Sequence, residues 1–149
     1  MDEQLDTLIQ REHLELASIR QRAAAFGIDE VLLSVLLMII LWDTMSKVQT
    51  LEAMISVTNS FLLEYMSIKI IYQTFFTMQY GGSIGKIIMK IRVIEIATLS
   101  NPGFLSSFNR SVFRVISEAL FYLGFVWAIL DPYRRSWHDR TARTLVINA

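Results

Sequence analysis

The residues of this sequence with chemistry to offer are ionisable side chains set inside apolar runs. Arg110, Arg114 and Glu118 recur every four positions, with Tyr122 one turn further on, so a helix would carry them as a single polar row. Arg22 and Asp29 are seven apart and share a helix face that Leu36 and Asp43 continue. Ser60, Glu64, Ser67 and Thr74 share another face, which points Glu64 inward, while Lys69 lies about 140° around from Glu64 and is expected to snorkel to an interface. A charge at the centre of a bilayer costs about 2.5–3.5 kcal/mol on insertion scales, so each needs a partner or a wet cavity. Carboxylates so placed bind protons or cations, and a neighbouring arginine sets their pKa values. On this reading Asp29 and Glu64 are the proton or cation carboxylates, and Arg114 is the favoured partner of Asp29. An interfacial, merely anchoring placement of Arg22 and Asp29 remains the alternative.

Other chemistries find little footing. There is no cysteine, and the two histidines, His13 and His138, lie far apart in sequence, so no metal site and no thiol nucleophile is expected. His138-Asp139 invites an acid–base reading, but no serine, cysteine or ligand set accompanies it at a recognisable spacing. Asp139 is expected to hold local backbone or a nearby arginine instead. Gly85-Lys86 fails as a phosphate loop, because Tyr80 stands where the first glycine belongs and Ile87 replaces the hydroxyl residue. No enzymatic activity and no cofactor is expected. Fourteen basic residues balance fourteen acidic ones, so no global field points to nucleic acid.

The elements that must position these charges are hydrophobic. The 149 residues are 53% hydrophobic and only 19% charged, with mean hydropathy +0.41, which is more apolar than soluble domains usually are. Three stretches approach the roughly 20 apolar residues that a span requires: Ala23 to Trp42, Met54 to Tyr80, and Val112 to Leu130. Residues 1–21 form a separate segment, with Leu5, Leu8, Ile9, Leu16 and Ile19 at near-helical spacing among acids, read as an amphipathic helix outside the membrane. That segment lacks a basic head followed by a short apolar core, so a cleaved secretory signal is not expected. Gly81-Gly82 ends the second stretch, and Ser83 is read as the cap of a new turn. Lys86, Lys90 and Arg92 then interleave with isoleucines, and with Trp137 they are assigned to the lipid headgroup level. The β-branched runs Val93–Ile96 and Leu145–Ile147 read as short strands.

The expected architecture is therefore all-α and membrane-embedded, with a small two-strand pairing as its one departure. Orientation raises a conflict. Arg11, Arg20 and Arg22, and then Lys86, Lys90, Arg92 and Arg110, place the N-terminus and second loop in the cytoplasm. Three full crossings would put Arg134, Arg135, Arg140 and Arg143 outside. Either the charge rule fails there, or the third stretch is re-entrant, hinged near Gly124 or Ser117. Re-entry keeps the C-terminus cytoplasmic and lets Arg92–Ile96 meet Thr144–Asn148.

With these residues in view, the chain resembles the RDD family of small bacterial and archaeal membrane proteins over about residues 20–148. Arg22 with Asp29, Gly82-Ser83-Ile84-Gly85-Lys86 leading to Ile91-Arg92-Val93, Arg110 with Arg114, and His138-Asp139-Arg140 followed by Thr144-Leu145-Val146 carry the resemblance. The arginine and two aspartates of the family's name map to Arg22, Asp29 and either Asp139, the better match, or Asp131. Glu30 stands where relatives often carry another acid, and Ala142-Arg143 departs mildly from a small pair. The resemblance implies a multi-span fold in a bacterial cytoplasmic membrane and, loosely, transport of ions or small solutes, including cation–proton exchange. The expected charge network comprises Arg22, Asp29, Glu30, Glu64, Arg110, Arg114, Glu118, His138, Asp139 and Arg140. The competing functions are a small transporter, expected to be a homo-oligomer because short spans enclose little pathway, and a non-transporting assembly or adaptor protein whose buried charges fix helix registry.

Overall fold

The computed structural model describes residues 2–149. Helix α1 (Asp2–Arg11) is followed by α2 (Ile19–Ile40), α3 (Trp42–Ser46), α4 (Leu51–Ser60), α5 (Leu62–Tyr80) and α6 (Ile84–Ile88). Strand β1 (Ile91–Glu95) leads to α7 (Phe104–Ala119), α8 (Leu123–Leu130), α9 (Trp137–Thr141) and strand β2 (Thr144–Asn148). The fold is mostly helical, and the strands pair antiparallel with Val93 opposite Val146.

Only part of residues 1–21 is helical, in contrast to the expectation of one amphipathic helix. α1 stops at Arg11, His13 takes φ 50°, and the chain then runs extended along the sheet. Ala17 N–H donates to Val146 O at 3.0 Å and Asn148 N–H to Glu15 O at 2.8 Å, so Leu16 serves the sheet, not a helix stripe. Ser18 then starts α2 with a capping box, its hydroxyl accepting from Gln21 N–H and Gln21 Oε1 accepting from Ser18 N–H. α1 lays Leu5 on Ile94, Tyr133, Leu145 and Ile147, forming one apolar core, while Ala17, Ala25, Ile91, Val93 and Val146 form a second.

Of the three expected spans, one stands as a continuous helix long and apolar enough to cross a bilayer. This is α2, whose most apolar 18 residues have mean hydropathy 2.2 and are only 17% buried. The core helix of a soluble protein would be covered. The second stretch is broken at Phe61 into α4 and α5, and α5 carries too many polar groups to qualify. The third is α7 and α8, which together are long and apolar enough to cross but are bent by 104°, the geometry of a broken span or a re-entrant loop. The hinge is at Phe121 and Tyr122, both at positive φ, not at Gly124 or Ser117. Gly124 lies within α8 where a Cβ would collide with Ser117 Oγ, so the glycine serves the close approach of α8 to α7.

The packing of α5 and α7 is inverted relative to a soluble protein. α7 buries Ser107, Arg110, Ser111, Arg114 and Ser117 and exposes Leu105 (78%), Phe104 and Phe108. α5 buries Lys69, Gln73, Thr74 and Thr77 and exposes Leu63 and Ile71. The two helices are joined by Thr74 Oγ1–H donating to Ser111 Oγ at 3.0 Å. Polar-in, apolar-out packing is stable where the surroundings are hydrocarbon.

Candidate functional site

Three charge clusters occupy the interior. The first is centred on Asp139, fully buried in α9. Its carboxylate is ion-paired by Arg22 from α2 and Arg110 from α7. It also accepts from Ser136 N–H at 3.0 Å and Ser136 Oγ–H at 2.8 Å, which caps α9. Arg22 continues to Arg134 O, and Arg110 Nη1 donates to Thr144 Oγ1 at 2.8 Å, so one carboxylate ties α2, α7, α9 and β2 together. Burial alone would raise the Asp139 pKa; Arg110 and then Arg22 outweigh it and hold the carboxyl well below the usual carboxylate range.

His138 packs edge-on against Phe125 at 5.2 Å, and burial, reinforced by the nearby arginines against the pull of Asp139, pushes its pKa well below the ordinary imidazole value. Ser136, which the sequence did not suggest as its companion, places Oγ 2.8 Å from His138 Nε2. A hydrolytic triad would need the carboxylate on Nδ1. Here Asp139 lies 3.8 Å from Nε2, the same nitrogen that faces the serine, and Nδ1 has no hydrogen-bond partner.

The second cluster is centred on Asp29, also fully buried. It accepts from Tyr72 Oη–H at 2.9 Å, Ser83 Oγ–H at 2.5 Å and Gly85 N–H at 2.9 Å. Ser83 starts α6, but its hydroxyl goes to Asp29 instead of capping the helix. Tyr72 Oη accepts in turn from Ile84 N–H at 3.0 Å. Arg114 Nη2 stands 3.9 Å from Asp29 Oδ2, close enough for charge attraction but beyond hydrogen-bond reach.

The third cluster joins Glu30 and Glu118 to one cation. Lys69 Nζ lies 2.8 Å from Glu30 Oε1 and is ion-paired with Glu118 Oε2. Glu118 Oε1 also receives Arg114 Nε at 3.4 Å, and Tyr65 Oη–H donates to Glu30 at 3.4 Å.

Several expected positions are corrected. Glu64 is exposed, with Ser60 and Ser67, so that face of α5 is the outer one and only Thr74 of the group turns inward. Lys69 is buried, not snorkelling; of two charges on opposite faces of one helix, the lysine is the inward one because two acids await it. Lys86 is buried rather than at the headgroup level, whereas Lys90 and Arg92 are exposed and Trp137 is half-buried. Arg140 is exposed and sits over the Trp127 ring at 6.0 Å, apart from the network.

The arginine and the two aspartates thus fall in two nodes, Arg22 with Asp139 and Asp29 apart from them, which Arg110 and Arg114 reach in turn from one face of α7. The model of the RDD family matches residues 16–143. The chain belongs to the RDD family. In this RDD-family chain Arg22 and Asp139 are direct partners, and Asp131 is spent on Arg135, whose Nε lies 3.1 Å away. No curated protein and no solved structure is a match for it. Tyr72, Ser83, Ser136 and Lys69 complete the nodes without having been foreseen. Of these, Lys69 carried a signal as a charge in an apolar run, and Ser83 one as the residue after the paired glycines.

Proposed function

We propose that this RDD-family chain is a small transporter exchanging a cation for protons through Glu30, Lys69 and Glu118. The observation that supports this reading is two carboxylates, from α2 and α7, converging on one buried ammonium. Glu30 is seven residues into the apolar stretch that begins at Ala23, about 10 Å along the axis at about 1.5 Å per residue, inside a core about 30 Å thick. Taken with Arg114 and Asp29, the connected groups are three acids and two bases, one negative charge in excess. That surplus is neutralised by a proton or a cation in turn, since the carboxylates are only partly covered, at 26% and 13% side-chain exposure. The carboxylates doing this work differ from the pair Asp29 and Glu64: Asp29 is saturated by three donors, and Glu64 faces out. A homo-oligomer in a bacterial cytoplasmic membrane, with several passes per chain, supplies the remaining wall of the pathway.

The protein reconstituted in vesicles with an internal pH dye is expected to move protons when a sodium or potassium gradient is imposed. Glu30→Gln and Glu118→Gln should each lower that rate tenfold or more, while Glu64→Gln leaves it unchanged. If both inner variants exchange like wild type, the transport reading is wrong. A second reading, an assembly protein with structural charge pairs, is favoured by the saturation of Asp29 and Asp139, and absence of any cation-driven proton flux from folded wild type would decide for it.

The β1–β2 pairing holds the C-terminus against the segment after α6. With the basic residues of both segments, this leads to a cytoplasmic C-terminus and a re-entrant α7–α8. A C-terminal fluorescent-protein fusion should be bright and an alkaline phosphatase fusion inactive; the reverse would mean that α7–α8 crosses once.

A further inference from the structure

A cavity of about 280 Å³ lies between α2, α7 and α8 and shares Arg114 with the Glu30 cluster. Its walls are apolar, from Phe26 on α2 to Phe125, Val126 and Ile129 on α8, yet four cationic side chains reach it: Arg22, Lys86, Arg110 and Arg114. Asp139 occupies Arg22 and Arg110. Lys86 is 93% buried by its 7% exposure and enters no ion pair or hydrogen bond among the described residues. Arg114 is 5% exposed, its guanidinium sits over the Phe26 ring at 5.0 Å and the Phe125 ring at 5.9 Å, and its Nη2 has no hydrogen-bond partner. Two buried cations with free donors therefore face one apolar chamber.

We infer that this cavity binds the oxyanion head of an anionic amphiphile, a phosphate or carboxylate on an acyl chain, between Lys86 and Arg114. An oxyanion supplies what both groups lack, a charge and several acceptors at once. The apolar wall adds the second half of the specificity. The chamber is just under the roughly 300 Å³ of ordinary small-molecule pockets, too small for a whole lipid. Its rim supplies the exit for the tail: Tyr122 at the hinge and Val126 and Ile129 on α8 are exposed, as is Ala23 on α2. These are surfaces that the inverted packing turns toward hydrocarbon. Burial, together with Arg110 and Arg114, pushes the pKa of Lys86 well below its ordinary value, and an anion beside it favours the charged form.

The test is binding by native mass spectrometry and fluorescence titration of the full chain in a neutral maltoside detergent. The probes are lysophosphatidic acid, oleate, lysophosphatidylcholine and inorganic phosphate. One equivalent of lysophosphatidic acid or of oleate should bind at least tenfold more tightly than lysophosphatidylcholine, and which of the two binds better identifies the head as phosphate or carboxylate. Lys86→Gln should weaken that binding tenfold or more. Ala23→Trp, at an exposed rim position where the fold tolerates bulk, should block it and keeps the test decisive if Lys86→Gln fails to fold. The inference is overturned if lysophosphatidylcholine or inorganic phosphate binds as tightly as the anionic amphiphiles, or if the folded variants bind like wild type.

Discussion

Asp139→Asn is expected to destabilise the protein by about 3–5 kcal/mol, the usual consequence of removing one member of a buried ion pair. The substitution changes almost no volume. It removes the charge that Arg22 and Arg110 both face, in a place where Asp139 has no exposure and Arg110 only 4%. An asparagine amide can still accept one hydrogen bond at Ser136, so α9 keeps a weakened cap, but two guanidinium groups are left buried without a counter-charge. The link between α2, α7 and β2 should fail first, and with it the pairing of β2 to β1. Thermal melts of detergent-solubilised protein, read by size-exclusion chromatography, would show a large loss of monodisperse material. Asp43→Asn is the matched control, because the Asp43–Lys47 pair is exposed and such pairs are worth about 0–1 kcal/mol. If both variants melt together with wild type, the Asp139 node does not hold the helices.

The same node fixes a pH window. The Asp139 carboxyl is held well below its free value of about 3.9, so its contribution is fully present above that value and is lost only as pH falls through the lower, folded value. Mild acid therefore leaves this node intact.

The parts of the fold that the sequence disclosed were those written as strong local pattern. The helical row of Arg110, Arg114 and Glu118 is legible because an apolar helix tolerates such a row only on its inner face, and α7 turns it inward. The β-branched runs after Arg92 and at the end of the chain announce strands by composition, and they pair. Where two readings shared one pattern, the sequence did not discriminate. Leu16 fits a helix stripe and a sheet edge equally, and a β-bridge to Ile147, which is remote in sequence, decides for the sheet. Glu64 and Lys69 lie on opposite faces of one helix, and only the acids on α2 and α7 determine which of them turns inward. Lys86 looks like a headgroup lysine from its neighbours, and it is buried because α6 packs on α2 through a glycine.

That glycine carries the second large effect. A Cβ at Gly85 would overlap the backbone carbonyl oxygen of Ala25 and lie 2.9 Å from Asp29 Oδ1. Neither obstacle is the free end of a flexible side chain: one is helix backbone, the other a carboxylate fixed by Tyr72 and Ser83. Gly85→Ala must therefore push α6 off α2, which breaks the 2.9 Å bond from Gly85 N–H to Asp29 and exposes part of its charge. Overpacking usually costs about 1–3 kcal/mol, and a loss at or beyond the upper end is expected here because a buried hydrogen bond to a carboxylate goes with it. Gly27→Ala, two residues from Asp29 on the same helix, is the opposite case. A Cβ there meets nothing within 4 Å, so relief of backbone entropy should raise stability by up to about 1 kcal/mol. Melting both variants beside wild type separates a general intolerance of change near Asp29 from a contact that requires glycine. Gly85→Ala melting at or above wild type would mean that α6 and α2 do not pack through this glycine.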